Sequence, residues 1–169
     1  MCGITFLMAG EGADRLRART AAALDRIAHR GPDARGMADG PGWSAGHNRL
    51  AIIDLSGGQQ PMRDPSGRYV LTYNGEIYNY QALRAEWAER WQFRDHSDTE
   101  VLLAGLVLDG TAFLDRLLGM WAFVLYDTAS GVMLMARDVV GKKPLYYRDA
   151  GGQFACASEL PALRALMPE

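Results

Sequence analysis

The chain opens Met-Cys-Gly-Ile, and its second residue poses a chemical question. With Met1 removed, Cys2 carries a thiol and a free α-amine on one residue. The amine titrates near ~7.7–8.0 and the thiol near ~8.5, so moving the proton from one to the other costs only about 1 kcal/mol. Such a residue supplies nucleophile and general base together. With Met1 retained, the nitrogen is an amide and the base is gone. A cysteine at this position is more often incidental than catalytic, so other residues must decide.

Asn74-Gly75 is a second candidate. A tetrahedral oxyanion needs donors aimed where charge develops, and an Asn-Gly turn can set a side-chain amide beside a backbone N–H. The same dipeptide equally fits a plain hairpin turn. Arg49 has the two-pronged geometry that suits a carboxylate, but it also fits a surface ion pair. Asp98 falls in the first turn of an expected helix, where a carboxylate complements the macrodipole without any ligand. Glu76 alone says nothing. His29 and Arg30 read as ordering the loop before Gly31-Pro32, and Cys156 as a small buried hydrophobe.

Other matches fail. "LSGGQ" at 55–59 is a string that ABC-type ATPases use to contact nucleotide, but no phosphate loop accompanies it. "ARDVVGKK" has Ala136 where that loop needs glycine and Lys143 where it needs Ser or Thr. An ATP-pyrophosphatase loop would continue with aspartate and serine, whereas Gln59, Gln60 and Pro61 follow here. Cys2, Cys156, His29, His47 and His96 show no paired ligand spacing, so no metal site is expected.

The elements that would position these residues read as α+β. "CGITFLM" predicts a buried strand, and 13–30 a helix with Leu16, Thr20, Leu24 and Ile27 at helical spacing. Short strands are expected at 43–46, 50–53 and 69–73. Helices follow at 80–91 and 97–108, the second opening with Ser97 and Glu100 as a capping box. A short helix at 113–117 precedes three runs, "MWAFVLYD", "VMLMARD" and "PLYYR", expected as successive strands of one sheet, with "TASG" turning between the first two. A strand at 153–157 and a helix from Ser158 close the chain.

At 169 residues the chain fits one domain with a real core. Hydrophobic residues make up 49% and charged ones 22%, which excludes a disordered chain. The net charge of −2 arises from 18 basic and 20 acidic residues without a basic stripe, so no nucleic-acid partner is expected. The run "ITFLMAG" is too short to span a membrane and has no basic flank of a signal. Position 2 is not the glycine that myristoylation requires. Two cysteines make no disulfide framework, and the cytoplasm is the expected compartment.

"HRGPD", "NRLAIID", "YNGEIYN", "SDTEVLL", "GMWAFVLYD" and "GKKPLYY" stand in this order behind "MCGI". Together they resemble the glutaminase domain of asparagine synthetases, class II glutamine amidotransferases of the N-terminal-nucleophile (Ntn) hydrolase superfamily. The resemblance runs over essentially the whole chain and implies a sandwich of two mostly antiparallel sheets between helical layers. It implies that Cys2 attacks the side-chain amide of L-glutamine to give a thioester and ammonia. Asn74 and the N–H of Gly75 would form the oxyanion hole. Arg49 would hold the α-carboxylate, Glu76 and Asp98 the α-ammonium, and Leu50, Ile52 and Ile53 would line the pocket. Relatives continue into an ATP-dependent synthetase domain, whereas this sequence stops at Glu169. The expectation is a single glutaminase domain, residues 1–169, either an excised glutaminase half or a stand-alone glutaminase that delivers ammonia to a separate partner. ATP and magnesium would belong to that partner, and no cofactor to this chain. The competing expectations are a glutamine-binding regulatory or interaction module with little hydrolysis, and an Ntn hydrolase acting on another amide.

Overall fold

Nine strands and four helices follow from these patterns in a computed structural model that describes residues 1–54 and 57–168. In chain order they are β1 (Gly3–Met8), α1 (Ala13–Arg26), β2 (Ala34–Gly40), β3 (Trp43–Arg49), β4 (Met62–Arg63), β5 (Tyr69–Ile77), α2 (Tyr80–Glu86), α3 (Asp98–Asp109), β6 (Gly119–Asp127), β7 (Met133–Arg137), β8 (Tyr146–Ala150), β9 (Gln153–Ala157) and α4 (Leu160–Leu166). One sheet has the order β2-β3-β1-β9-β8 and the other β4-β5-β6-β7, with antiparallel pairing throughout.

Period-two alternation sorts side chains into three apolar layers. Phe6, Trp43, Ala45, Val70, Val124, Tyr126 and Cys156 fill the space between the sheets. On the far side of the first sheet, Leu7, Ala155 and Ala157 meet Leu16, Ala23 and Leu24 of α1 and Leu163 and Leu166 of α4. On the far side of the second, Leu71, Tyr73, Ile77, Phe123 and Leu125 meet Leu83 of α2 and Val101, Leu102 and Leu103 of α3. Every residue of α3 from Asp98 to Leu106 is buried, so this helix lies in the interior instead of showing a polar face. The resulting order, helices–sheet–sheet–helices, is the expected sandwich.

Local expectations met several corrections. Residues 50–53 are loop, not strand, because side chains take their backbone donors: Leu50 N–H points to the Cys2 sulfur and Ala51 N–H to Asp33. Asn74-Gly75 is no hairpin turn; it lies inside β5, where Asn74 pairs with Ala122 and Gly75 with Trp121. The three runs expected in one sheet divide: β6 and β7 pair together, while β8 pairs with β9 in the other sheet. The chain crosses over through a loop whose Lys142 and Lys143 N–H groups bond the Asp138 carboxylate, at 2.9 and 3.1 Å. Strand β2, "ARGMADG", went unforeseen because its glycines and alanines carry little strand propensity.

The capping box is half present. Ser97 accepts from Glu100 N–H at 3.2 Å, but the Glu100 carboxylate accepts from the backbones of Arg94 and Asp95 instead of Ser97. Two expected helices end or begin differently: α1 stops at Arg26 before a 3-10 turn at Ala28–Arg30, and the one expected at 113–117 is a 3-10 turn at Gly110–Arg116. The helix expected at 80–91 ends at Glu86, and the closing helix starts at Leu160 with Pro161 in its first turn. Part of "LSGGQ", Leu55 and Ser56, lies outside the described residues, and Gly57–Gln59 is loop.

His47 joins the sheets. From β3 its Nε2–H donates to the Tyr73 carbonyl on β5 at 3.1 Å, and burial, with Arg49 adding to it, pushes its pKa down to about 3. The folded ring thus stays neutral, while an unfolded one binds a proton below about pH 6.5. Its contribution is complete above that value and lost as pH falls, by about 1.4 kcal/mol per unit. His47→Gln keeps a donor without a titration. Between about pH 7 and pH 5, urea unfolding should show the wild type losing about 2 kcal/mol more than the variant.

Candidate active site

Cys2 stands immediately before β1, with Leu50 N–H donating to its sulfur at 3.4 Å. Its carbonyl is held by Arg30, whose Nε–H donates at 2.8 Å. Arg30 is itself buried and fixed by Glu159, 2.7 Å from Nη1, and His29 Nε2 meets the same carboxylate oxygen at 3.1 Å. Beside this pair, Ser158 Oγ accepts from Ile4 N–H at 3.0 Å. Gly31 is needed because a Cβ there would overlap the Asn48–Arg49 backbone. His29 and Arg30, expected to order the loop before Gly31-Pro32, both reach the Glu159 carboxylate. No sequence signal marks Arg30 as an anchor for the backbone of Cys2 as well.

Strand β5 brings Asn74 and Gly75 into the same cleft. The Asn74 side-chain N–H₂ is buried and has no acceptor among the described residues. Buried amides are ordinarily paired, so a free one facing a cleft marks a place where an acceptor arrives. Gly75 lies so close to β6 that an added Cβ would sit 2.5 Å from the Met120 carbonyl and 2.8 Å from Trp121 Cα. Only glycine lets the strand approach this closely.

The other wall carries opposite charges. Arg49, at the end of β3, is buried, and its guanidinium donates to the Asp54 carbonyl at 2.6 Å, bending the loop after β3 across the cleft. That loop is fastened to the segment before α3: His96 N–H donates to the Asp54 carboxylate and Gly58 N–H to that of Asp95. Asp98, the first residue of α3, accepts at one oxygen from the Tyr73 phenol at 2.8 Å and from Ile77 N–H at 3.0 Å. These walls bound one cleft, which opens to solvent. Cys2, Arg49, Leu50, Ile52, Ile53, Asn74, Gly75, Glu76 and Asp98 all line it. Gln60, Tyr73, Thr99, Met120 and Lys143 line it too, none foreseen from the sequence. Gln60 takes the Tyr73 N–H at 2.6 Å and reaches Thr99 at 3.3 Å, tying loop, strand and helix together.

Burial raises the Cys2 thiol above its ordinary range, against the lowering effects of Leu50 N–H, the terminal ammonium and Arg49. The resting sulfur is therefore protonated, and a base must create the thiolate. Burial also raises Asp98, opposed by its bonds to Ile77 and Tyr73, and lowers the Lys143 ammonium, with Arg30 adding to that effect. Cys156 is fully buried between the sheets, its thiol pushed up to about 12. Among the described residues no cluster of His, Cys, Asp and Glu could hold a metal ion, and no helix is long and apolar enough to cross a membrane. Iodoacetamide should modify Cys2 alone in the folded protein, at a rate climbing beyond the usual thiol range of pH, and reach Cys156 only in denaturant. Peptide mass mapping checks both.

Residues 1–168 match the family model described as a glutamine amidotransferase domain. Asparagine synthetase B (glutamine-hydrolyzing) of Escherichia coli K12 is 47% identical over 136 residues, covering 80% of this chain and 24% of that protein. A putative glutamine-hydrolyzing asparagine synthetase of Mycobacterium tuberculosis H37Rv is 41% identical over 185 residues, covering 99% and 28%. The amidase chry2 of Gibberella zeae is 37% identical over 184 residues, covering 100% and 27%. The chain thus spans about a quarter of the length of these relatives. Among solved structures, the Bacillus subtilis glutamine phosphoribosylpyrophosphate amidotransferase superposes with a TM-score of 0.79 at 23% identity, over 98% of this chain and 43% of that one, which establishes the Ntn-hydrolase fold.

Proposed function

Since this chain belongs to the glutamine amidotransferase domain family, we propose that it hydrolyses L-glutamine to glutamate and ammonia and passes the nitrogen to an asparagine-synthetase-like reaction. The observation that carries this reading is the meeting of Cys2, an unpaired Asn74 amide, Arg49 and Asp98 in one cleft.

The chemistry starts with removal of Met1, which turns the Cys2 amide nitrogen into an amine. That amine takes the thiol proton, and the sulfur attacks the side-chain carbonyl carbon of glutamine. Negative charge forming on the oxygen is met by Asn74 Nδ2–H and the N–H of Gly75. The ammonium form of the Cys2 amine then protonates the departing nitrogen, and the C–N bond breaks to leave a thioester and ammonia. The same amine deprotonates a water that attacks the thioester, and glutamate and thiol are restored. At the substrate's other end, Arg49 pairs with the carboxylate, Glu76 and Asp98 with the ammonium, and Leu50, Ile52 and Ile53 form the wall.

The ammonia acceptor is made elsewhere. A synthetase domain or subunit is the partner inferred here, and ATP and magnesium act in that partner. Free ammonia is lost to protonation and diffusion, so turnover should be low in isolation and rise when such a partner is added with its acceptor and ATP. The two cysteines are free thiols, which fits a cytoplasmic setting.

Intact mass of untagged protein, before and after a glutamine-mimicking diazo-ketone, tests the reading. The expected result is loss of one methionine and a single adduct on Cys2, blocked by excess glutamine. Cys2→Ala should abolish hydrolysis, and Asn74→Ala should lower kcat by about 10²–10³. Asp98→Asn should raise KM for glutamine about tenfold or more. A processed chain whose Cys2 neither labels nor turns over glutamine would sink the proposal.

A further inference from the structure

Tyr73 is not among the residues through which the cleft was read as a glutamine site, yet it holds one of them. It lies on β5, 2% exposed, one residue before Asn74. Its phenol donates to Asp98 at 2.8 Å, and the same carboxylate oxygen accepts Ile77 N–H at 3.0 Å. Both donors belong to one strand, Tyr73 through its side chain and Ile77 through its backbone. The backbone of Tyr73 is pinned on both sides, its N–H to Gln60 and its carbonyl by His47.

We propose that Tyr73 is a positioning residue for substrate: it commits one oxygen of Asp98 and leaves the other turned to the α-ammonium of glutamine. This rests on the reading of the cleft as a glutamine site. Two donors occupy Oδ2, so the carboxylate cannot rotate to present that oxygen without breaking both bonds. Burial, reinforced by Asp98, holds the phenol's pKa well above its ordinary value, so Tyr73 remains a donor throughout the working range. The strand that supplies these donors also carries Asn74 and Gly75, so the ammonium and oxyanion subsites share one rigid support. Tyr73 makes no contact with the reacting atoms in this scheme and acts only through Asp98.

Steady-state kinetics of Tyr73→Phe, with Met1 processed, tests the assignment. KM for glutamine should rise about tenfold, the loss of one hydrogen bond to a charged group, while kcat stays within about twofold. Glutaramic acid, which has the same amide and carboxylate but no α-amine, should show the same kcat/KM in wild type and variant. A merely structural role would depress both substrates alike. An unchanged KM in Tyr73→Phe beside a raised KM in Asp98→Asn would overturn the positioning role and leave the glutamine site standing. An unchanged KM in Asp98→Asn would remove the site reading itself. Equal losses on both substrates, or failure of Tyr73→Phe to fold, would likewise overturn the positioning role.

Discussion

The hydrogen bond from Arg30 to the Cys2 carbonyl fixes the backbone just ahead of β1. Much of the first sheet follows from that bond. Arg30 must be buried, so it needs a counter-charge, and Glu159 provides one from the segment between β9 and α4. The 3-10 turn carrying Arg30 must press against β3, so Gly31 has no side chain. Leu50 N–H then completes the frame around the sulfur. A buried guanidinium stripped of its partner would be costly, which makes the Arg30–Glu159 pair a structural commitment instead of a decorative surface contact.

The second sheet contributes a template. Strand β5 alternates duties along its length: Leu71, Tyr73 and Ile77 pack toward α3, while Val70 faces the other sheet and Asn74 leaves its amide free. Asp98 is drawn to this strand from the start of α3, and Gln60 from the loop after β3. The cleft is therefore organised by one strand, with loop and helix referenced to it. His47 locks that strand to the first sheet, so Cys2 and the template share one framework.

How far the sequence revealed this depends on the range of each signal. Position made Cys2 a candidate, since a thiol beside a free amine has its own chemistry, but position alone favoured an incidental cysteine and the motifs behind it had to decide. Arg49, Asp98 and Asn74 were ambiguous singly and became informative only through the order of their motifs. The Asn-Gly pair suggested a turn because that dipeptide is a local signal, whereas its true setting is fixed by pairing with β6, some 47 positions away at Trp121 and Ala122. Residues 50–53 looked like a strand since they are apolar, yet their donors are spent on Cys2 and Asp33. No strand pattern states which sheet it joins, and so β8 was misassigned. Tyr73, Gln60 and Lys143 acquire meaning only from tertiary neighbours.

The first strand of the chain is also the middle strand of its sheet, between β3 and β9. Both of its edges are therefore paired, and none is left for another strand to extend. Ile4 bonds to Ser158 and Arg30 to Glu159, so the segment around Cys2 is held by residues far along the chain. Contacts of such long sequence separation close a large loop, and the surroundings of Cys2 form only once that closure is made.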